Sequence, residues 1–254
     1  MSDHSNLTDQ VPDSPPGFPI TNEDWSDFRP VPVLENAQFE VPPGTRPTDL
    51  FAVQSNRCTL PGYRFVRKNN KRQMLMFVDG ACLSHDSRAG WAVCLGPQVV
   101  VKGRLEPPGA QTNSRAELRG AIVALGLRVW KKEGFGSIVI ATDSEYVVRG
   151  YCEWLSVWRG RNWRTTRGTD VLNRDLWKVL DDQIHSLARE GVQVWFWRIP
   201  REWNEADKYA RQAVVSIPRC CCCPDLSSLI NVFGQIENQW EARTSYELVH
   251  LVGY

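Results

Sequence analysis

Residues 74–78 read MLMFV and run directly into Asp79-Gly80. Five consecutive apolar residues bounded by a turn signal mark a strand buried on both faces, and such a strand needs a covering layer above and below it. Residues 138–141 (IVIA) repeat the pattern and end at Thr142-Asp143. Between these two runs lie residues 90–95 and 98–105, two strand-like segments split by Gly96-Pro97, so three strands joined by short connections form a meander. Leu118, Ala121, Ile122, Leu125 and Val129 then recur at helical spacing, which predicts an amphipathic helix beginning near Ser114. A helix carrying Tyr146, Val147, Tyr151, Trp154 and Trp158 follows the second run. After a basic connector come a helix with Leu172, Leu176, Val179, Leu180, Ile184 and Leu187, a strand over 192–199, and a last helix from about Asn204. The order βββαβααβα predicts an α/β fold: a mixed five-stranded sheet of three meander strands and two reached by helical crossovers, flanked by helices.

Charge divides the chain more sharply than its +1 total suggests. Residues 1–50 hold nine acids, two bases and nine prolines, and residues 51–73 hold six bases and no acid. The expected organisation is an acidic, proline-rich, disordered or loosely attached tail over 1–50, a basic lead-in over 51–72, one globular domain over 73–216 and a C-terminal extension over 217–254. No segment approaches the roughly 20 apolar residues of a membrane span, and the acidic start fits neither a secretory signal nor a transit peptide. Cys58, Cys82, Cys94 and Cys152 stand singly, as free thiols do in a reducing intracellular compartment, nuclear or cytoplasmic. The block 220–223 has no second cysteine pair to complete a tetrahedral zinc site.

Four acids take positions of consequence. Asp79 and Asp143 end buried strands, while Glu117 and Asp207 fall in the first turns of helices, and sites in open sheets form outside strand carboxyl ends. Each also has a plainer reading. Asp143 can cap the next helix, Ser114 and Glu117 match a capping box, Asp207 suits a helix dipole, and Asp79 can be a turn residue. Together the plain readings weaken, because Asp79 follows a fully apolar run and Glu117 projects on the stripe of Ala121 and Leu125, towards the core; four gathered carboxylates would repel one another unless protons or cations neutralise them. Mg²⁺ or Mn²⁺, which take oxygen ligands, suit such a set.

The segments FVDGAC (77–82), QTNSRAELRGAI (111–122), ATDSEYVVRGYCEWL (141–155), WRGRNWRTTRGTDVLNRDLWKVL (158–180) and NEADKYAR (204–211) resemble type I ribonuclease H, in order and at similar spacings over roughly 72–216. The resemblance implies a ribonuclease H-like fold and a metal-dependent endoribonuclease that cuts the RNA strand of RNA/DNA hybrids with two Mg²⁺ ions, Mn²⁺ being an alternative. Asp79, Glu117, Asp143 and Asp207 then form the acidic tetrad: Asp79 bridging both ions, Asp143 and Asp207 holding one each, and Glu117 sharing a metal near the ribose 2′-hydroxyl. It also implies that Asn113 contacts the minor groove and that Thr112 and Asn173 cradle a DNA-strand phosphate. The arginine often found two residues before that threonine is Ala110 here.

The connector over 158–178 interleaves Arg159, Arg161, Arg164, Arg167, Arg174 and Lys178 with Trp158, Trp163 and Trp177. Bases neutralise phosphates and an indole stacks on a sugar or base, so Arg161, Arg164, Trp158 and Trp163 are the expected contacts, with Trp154 and Trp177 assigned to the core. The strip 64–72 (RFVRKNNKR) has three open readings: a further hybrid-binding surface, a localisation patch or a solvated linker. The loop 200–203 (PREW) lacks the histidine many type I enzymes carry there, which resembles a subgroup without it and makes Glu202 the candidate proton carrier. The expected partner is an RNA/DNA hybrid bound by a monomer, with no membrane. The competing functions are a catalytically weak or inactive nucleic-acid-binding module on the same fold, and an assembly role for the tails.

Overall fold

The computed structural model describes residues 29–56, 62–83, 88–107, 109–215 and the backbone of 247–250. The tail over 1–28, Cys58 and the cysteine block 220–223 lie outside the described residues.

The apolar run becomes the centre of strand β3, Asn70–Leu83, which is longer than the sequence suggests at both ends. Alternate residues face opposite sides: Met74, Met76 and Val78 enter one core cluster, Leu75 and Phe77 the other. On one edge β3 pairs in parallel with β6 (Ser137–Thr142), which pairs in parallel with β7 (Gln193–Arg198). On its other edge the C-terminal half of β3 runs antiparallel to β4 (Arg88–Gly96), and β4 to β5 (Val99–Arg104). These are the expected meander and crossover strands.

Three further strands widen the sheet to eight. The expected basic lead-in is a hairpin, β1 (Phe51–Asn56) and β2 (Gly62–Arg67), whose second strand pairs with the N-terminal half of β3. A four-residue strand from the C-terminal extension, β8 (Glu247–His250), pairs antiparallel with β5.

Helix α2 (Asn113–Gly126) and helix α5 (Arg174–Arg189) cover the Met74 side. Between them, α3 (Glu145–Arg149), a π turn at Gly150–Trp154 and α4 (Leu155–Gly160) continue one into the next. Gly150 admits this arrangement, because a Cβ there would run into the Trp177 ring. Helix α6 (Asp207–Val215) covers the Phe77 side through Ala210, with Ala206 just before it in the same cluster.

Residues 29–50, expected to be loose, bring Ala37–Phe39 alongside the outer edge of β7. Phe39 N–H donates to the Phe196 carbonyl at 2.7 Å and Phe196 N–H to the Ala37 carbonyl at 2.8 Å. An edge strand leaves backbone groups unpaired, and this arm satisfies part of that row. It also buries Ala37 and Phe39, the latter 5.4 Å from the Trp197 ring, and ends in the short helix α1 (Pro47–Leu50). The hairpin is fixed too, since Arg64, part of the expected basic strip, is buried and donates Nε to Glu133 at 3.1 Å with both side chains 1% exposed. Arg67 donates to Gln73 and lies over Phe39. The strip 64–72 is therefore not a single exposed patch: part of it is structural.

Candidate active site

The last parallel pair of β3 and β6 is Phe77 with Ala141. Asp79 and Asp143 each lie two residues past that pair, side by side at one edge of the sheet. Asp79 does not end its strand, as the Asp-Gly signal suggests; it pairs opposite Ala92 within β3 and is 2% exposed. Gly80 is the reason a helix can approach here. A Cβ on Gly80 would collide with the Glu117 backbone nitrogen, so only glycine lets α2 descend onto the strand and deliver Glu117.

Helix α2 starts earlier than expected. Thr112 is its N-cap, its Oγ1 accepting from Arg115 N–H at 3.3 Å, so the Ser114–Glu117 capping box does not form and Glu117 is free for the site. Glu117 instead accepts from the Ser144 hydroxyl at 2.6 Å. Asp143 accepts from Asn204 Nδ2 at 2.7 Å, and the same Asn204 donates to the Val78 carbonyl at 3.1 Å. That buried amide ties the loop before α6 to β3 and fixes the Asp143 carboxylate. Asp207, the first residue of α6, is held by Arg201 Nη2 at 2.5 Å and Arg211 Nη2 at 2.8 Å.

The four acids act on one another. Burial, then the charges of Asp143, Asp207 and Glu117, push the Asp79 carboxyl from 3.8 up to about 8. Burial likewise raises Glu117, opposed by the Ser144 hydrogen bond. Asp79 Oδ2 is buried without a hydrogen-bond partner. An orphaned carboxylate oxygen surrounded by three more acids fits a divalent cation with oxygen ligands. Among the described residues no three such side chains stand already closed around a metal position.

The RNase H family model matches residues 71–214. The chain belongs to the RNase H family. A Ribonuclease H from Pseudomonas paraeruginosa is 39% identical over 158 residues, covering 59% of this chain and 99% of its own. The Ribonuclease HI of Pseudomonas aeruginosa matches to the same extent. Among solved structures, the N-terminal RNase H domain of a Mycobacterium tuberculosis protein, fused to maltose binding protein, is 25% identical with a TM-score of 0.39, covering 56% of this chain and 98% of that one. The arm, the β1–β2 hairpin and β8 all lie outside the segment matched by the RNase H model.

The residues expected to contact substrate stand on the same RNase H scaffold. Arg115 links the two residues assigned to the phosphate pocket: its backbone N–H donates to Thr112, and its Nη1 donates to Asn173 Oδ1 at 3.4 Å. Its guanidinium also grips Asp175 at 2.6 Å, which raises the arginine pKa and lowers that of Asp175. Asn173 has φ 58° and donates to the Tyr146 hydroxyl, which also receives Trp177 Nε1–H. Asn113 is exposed in the first turn of α2.

Trp177 is fully buried, as expected, whereas Trp154 is only half-buried, against Tyr146 and Trp158. Trp158 packs edge-on against Trp177 at 5.5 Å and keeps part of its surface open. Trp163 is half-buried with Lys178 5.7 Å from its ring, and Arg161 and Arg164 are exposed beside it. Arg159, another base of the connector, is paired with Asp181 in the domain. Glu202 is exposed on the 3₁₀ turn Arg201–Trp203. Arg115, Ser144 and Asn204 fall in the segments 111–122, 141–155 and 204–211 and Arg201 in the loop 200–203, but their roles are not legible in the sequence, because each acts through a tertiary neighbour.

Proposed function

We propose that this chain is an endoribonuclease that hydrolyses the RNA strand of RNA/DNA hybrids, with Asp79, Glu117, Asp143 and Asp207 holding two Mg²⁺ ions, or Mn²⁺ in their place. The observation that carries this reading is Asp79: a buried carboxylate with one unpartnered oxygen, within electrostatic reach of three other acids, in a chain of the RNase H family. Two such cations, when bound, activate a water and neutralise charge on the scissile phosphate and the leaving 3′-oxygen.

The chain's own residues set the stage for that chemistry. Asp79, its carboxyl pushed up to about 8, would have to give up a proton to hold a cation, so ion uptake would release protons and strengthen as pH rises. Asn204 holds Asp143 and Ser144 holds Glu117, so these two carboxylates are oriented before substrate enters. Thr112 and Asn173, joined by Arg115, are the polar groups this reading assigns to the pocket for a DNA-strand phosphate. Trp158 and Trp163 offer open ring surface beside the exposed Arg161 and Arg164, which suits a sugar-phosphate backbone. Asn113 stands beside the pocket, where the resemblance assigns it a minor-groove contact with the strand bearing 2′-hydroxyls.

All four acids come from one chain, so this reading needs no residue from a second copy. No helix among the described residues is long and apolar enough to cross a membrane. Cys82, Cys94 and Cys152 are free thiols, in keeping with a reducing compartment. Matched RNA/DNA hybrid, double-stranded RNA, single-stranded RNA and DNA duplex, each with Mg²⁺, Mn²⁺ or EDTA, test the proposal. Cleavage confined to the RNA of the hybrid and abolished by EDTA is the expected result. Tight hybrid binding with no cleavage under any metal identifies the non-cutting module instead.

A further inference from the structure

The loop between β7 and α6 brings a cation to the acids. Arg201 opens the turn Arg201–Trp203, and its Nη2 lies 2.5 Å from Asp207 Oδ1. The same guanidinium acts electrostatically on Asp143, Asp79 and Glu117. Arg211 also reaches Asp207, at 2.8 Å, but from one turn along the same helix. Both Asp207 oxygens are thereby engaged: Oδ1 by Arg201 and Arg211, Oδ2 by Arg211. The partners of Asp143 and Glu117, by contrast, are the neutral Asn204 and Ser144.

The backbone under Arg201 is anchored while its side chain is not. Trp203 N–H donates to the Pro200 carbonyl and Asn204 N–H to that of Arg201. Trp203 packs into the Phe39 and Phe51 cluster, with the Arg46 guanidinium 5.7 Å from its ring. The Arg201 side chain remains 56% exposed, so it can leave Asp207 without disturbing the turn.

We infer that Arg201 is the resident counter-cation of this carboxylate site, holding Asp207 in the metal-free protein, and that a divalent ion must displace it to take that ligand. A guanidinium and a doubly charged ion at one carboxylate repel each other, and each needs the same lone pairs. Arg201 therefore sets the divalent-ion concentration at which the site loads, and it relieves acid repulsion until then. The inference rests on reading the four acids as metal ligands.

Calorimetric titration of Mn²⁺ into the full chain without nucleic acid tests it, on wild type, Arg201→Ala, Arg201→Lys and Arg211→Ala, with melting curves in EDTA and in saturating Mn²⁺. Arg201→Ala should bind Mn²⁺ about threefold to tenfold more tightly, the scale of removing a part-exposed competing ion pair. It should also melt lower than wild type in EDTA but level with it in Mn²⁺. Arg201→Lys should fall between the two, and Arg211→Ala should shift less than Arg201→Ala. Unchanged or weaker Mn²⁺ affinity in Arg201→Ala, or an equal gain in Arg211→Ala, overturns the inference while leaving the metal reading in place. A wild-type protein that takes up no Mn²⁺ contradicts that reading itself, and the inference with it.

Discussion

Asp79 concentrates the cost of this site in one residue. Its folded-state pKa of about 8 lies above the ordinary 3.8, so the fold keeps a proton that the unfolded chain has already released. The resulting stability is complete below about pH 4 and is lost as pH rises towards about 8. Without metal, wild type should therefore lose stability over that range relative to Asp79→Asn. By about pH 8 in EDTA the variant should melt several degrees higher, a gap that thermal melts at two pH values will show. A gap independent of pH would contradict the raised pKa. Asn204 carries a second residue-scale prediction. Its amide donates to Val78 and Asp143 and its carbonyl accepts from Ala206, so Asn204→Ala should cost about 1–3 kcal/mol in denaturant melts. It should also lower kcat more than it raises KM, because it frees Asp143, which the proposed function makes a metal ligand rather than a group that binds substrate.

At the scale of elements, two packing contacts hold the acids where they are. Gly80→Ala would drive a Cβ against the α2 backbone at Glu117, which must shift; a loss of about 1–3 kcal/mol with a larger loss of activity is expected from chemical denaturation and assay together. Glu133 is the buried partner of Arg64, with Arg128 3.7 Å away, so Glu133→Gln should destabilise by about 3–5 kcal/mol by leaving the buried Arg64 guanidinium without its counter-charge. A loss of that size would show that the β1–β2 hairpin is part of the folding unit.

Much of this architecture is legible in the sequence, for reasons that also mark where legibility stops. The five central strands and four main helices follow from continuous apolar runs and 3.6-residue spacing, which are local properties. Asp79 and Asp143 can be placed because each follows such a run. The sequence pattern ends β3 too early because Asp-Gly is a turn signal in isolation; the β4 ladder and the close approach of α2 override it. The start of α2 is ambiguous because Ser114 and Thr112 are both good caps, and only the Arg115 N–H bond decides between them. Residues 29–50 look unstructured by composition, yet Ala37 and Phe39 find the open edge of β7, a partner some 160 residues away in sequence. Arg201, Ser144 and Asn204 act on carboxylates that no sequence period connects to them.

At the scale of the whole molecule, charge is sorted by position. The acids gather at one edge of the sheet, and the exposed Arg161 and Arg164 lie with the half-buried Trp158 and Trp163 on the connector before α5. Neutralisation of phosphates there should make hybrid affinity fall with salt, and Arg161→Ala with Arg164→Ala should reduce the log–log slope by about one for each phosphate no longer neutralised. Titrations across a salt series would show it; an unchanged slope would place the phosphate track elsewhere. The central claim, that the gathered carboxylates perform hydrolysis rather than merely shape a binding surface, is tested most directly by single-turnover cleavage of a labelled hybrid with Mg²⁺ by wild type and Asp143→Asn, alongside their hybrid affinities. The account predicts that the variant loses cleavage by orders of magnitude while binding hybrid as well as wild type; cleavage at the wild-type rate would contradict it.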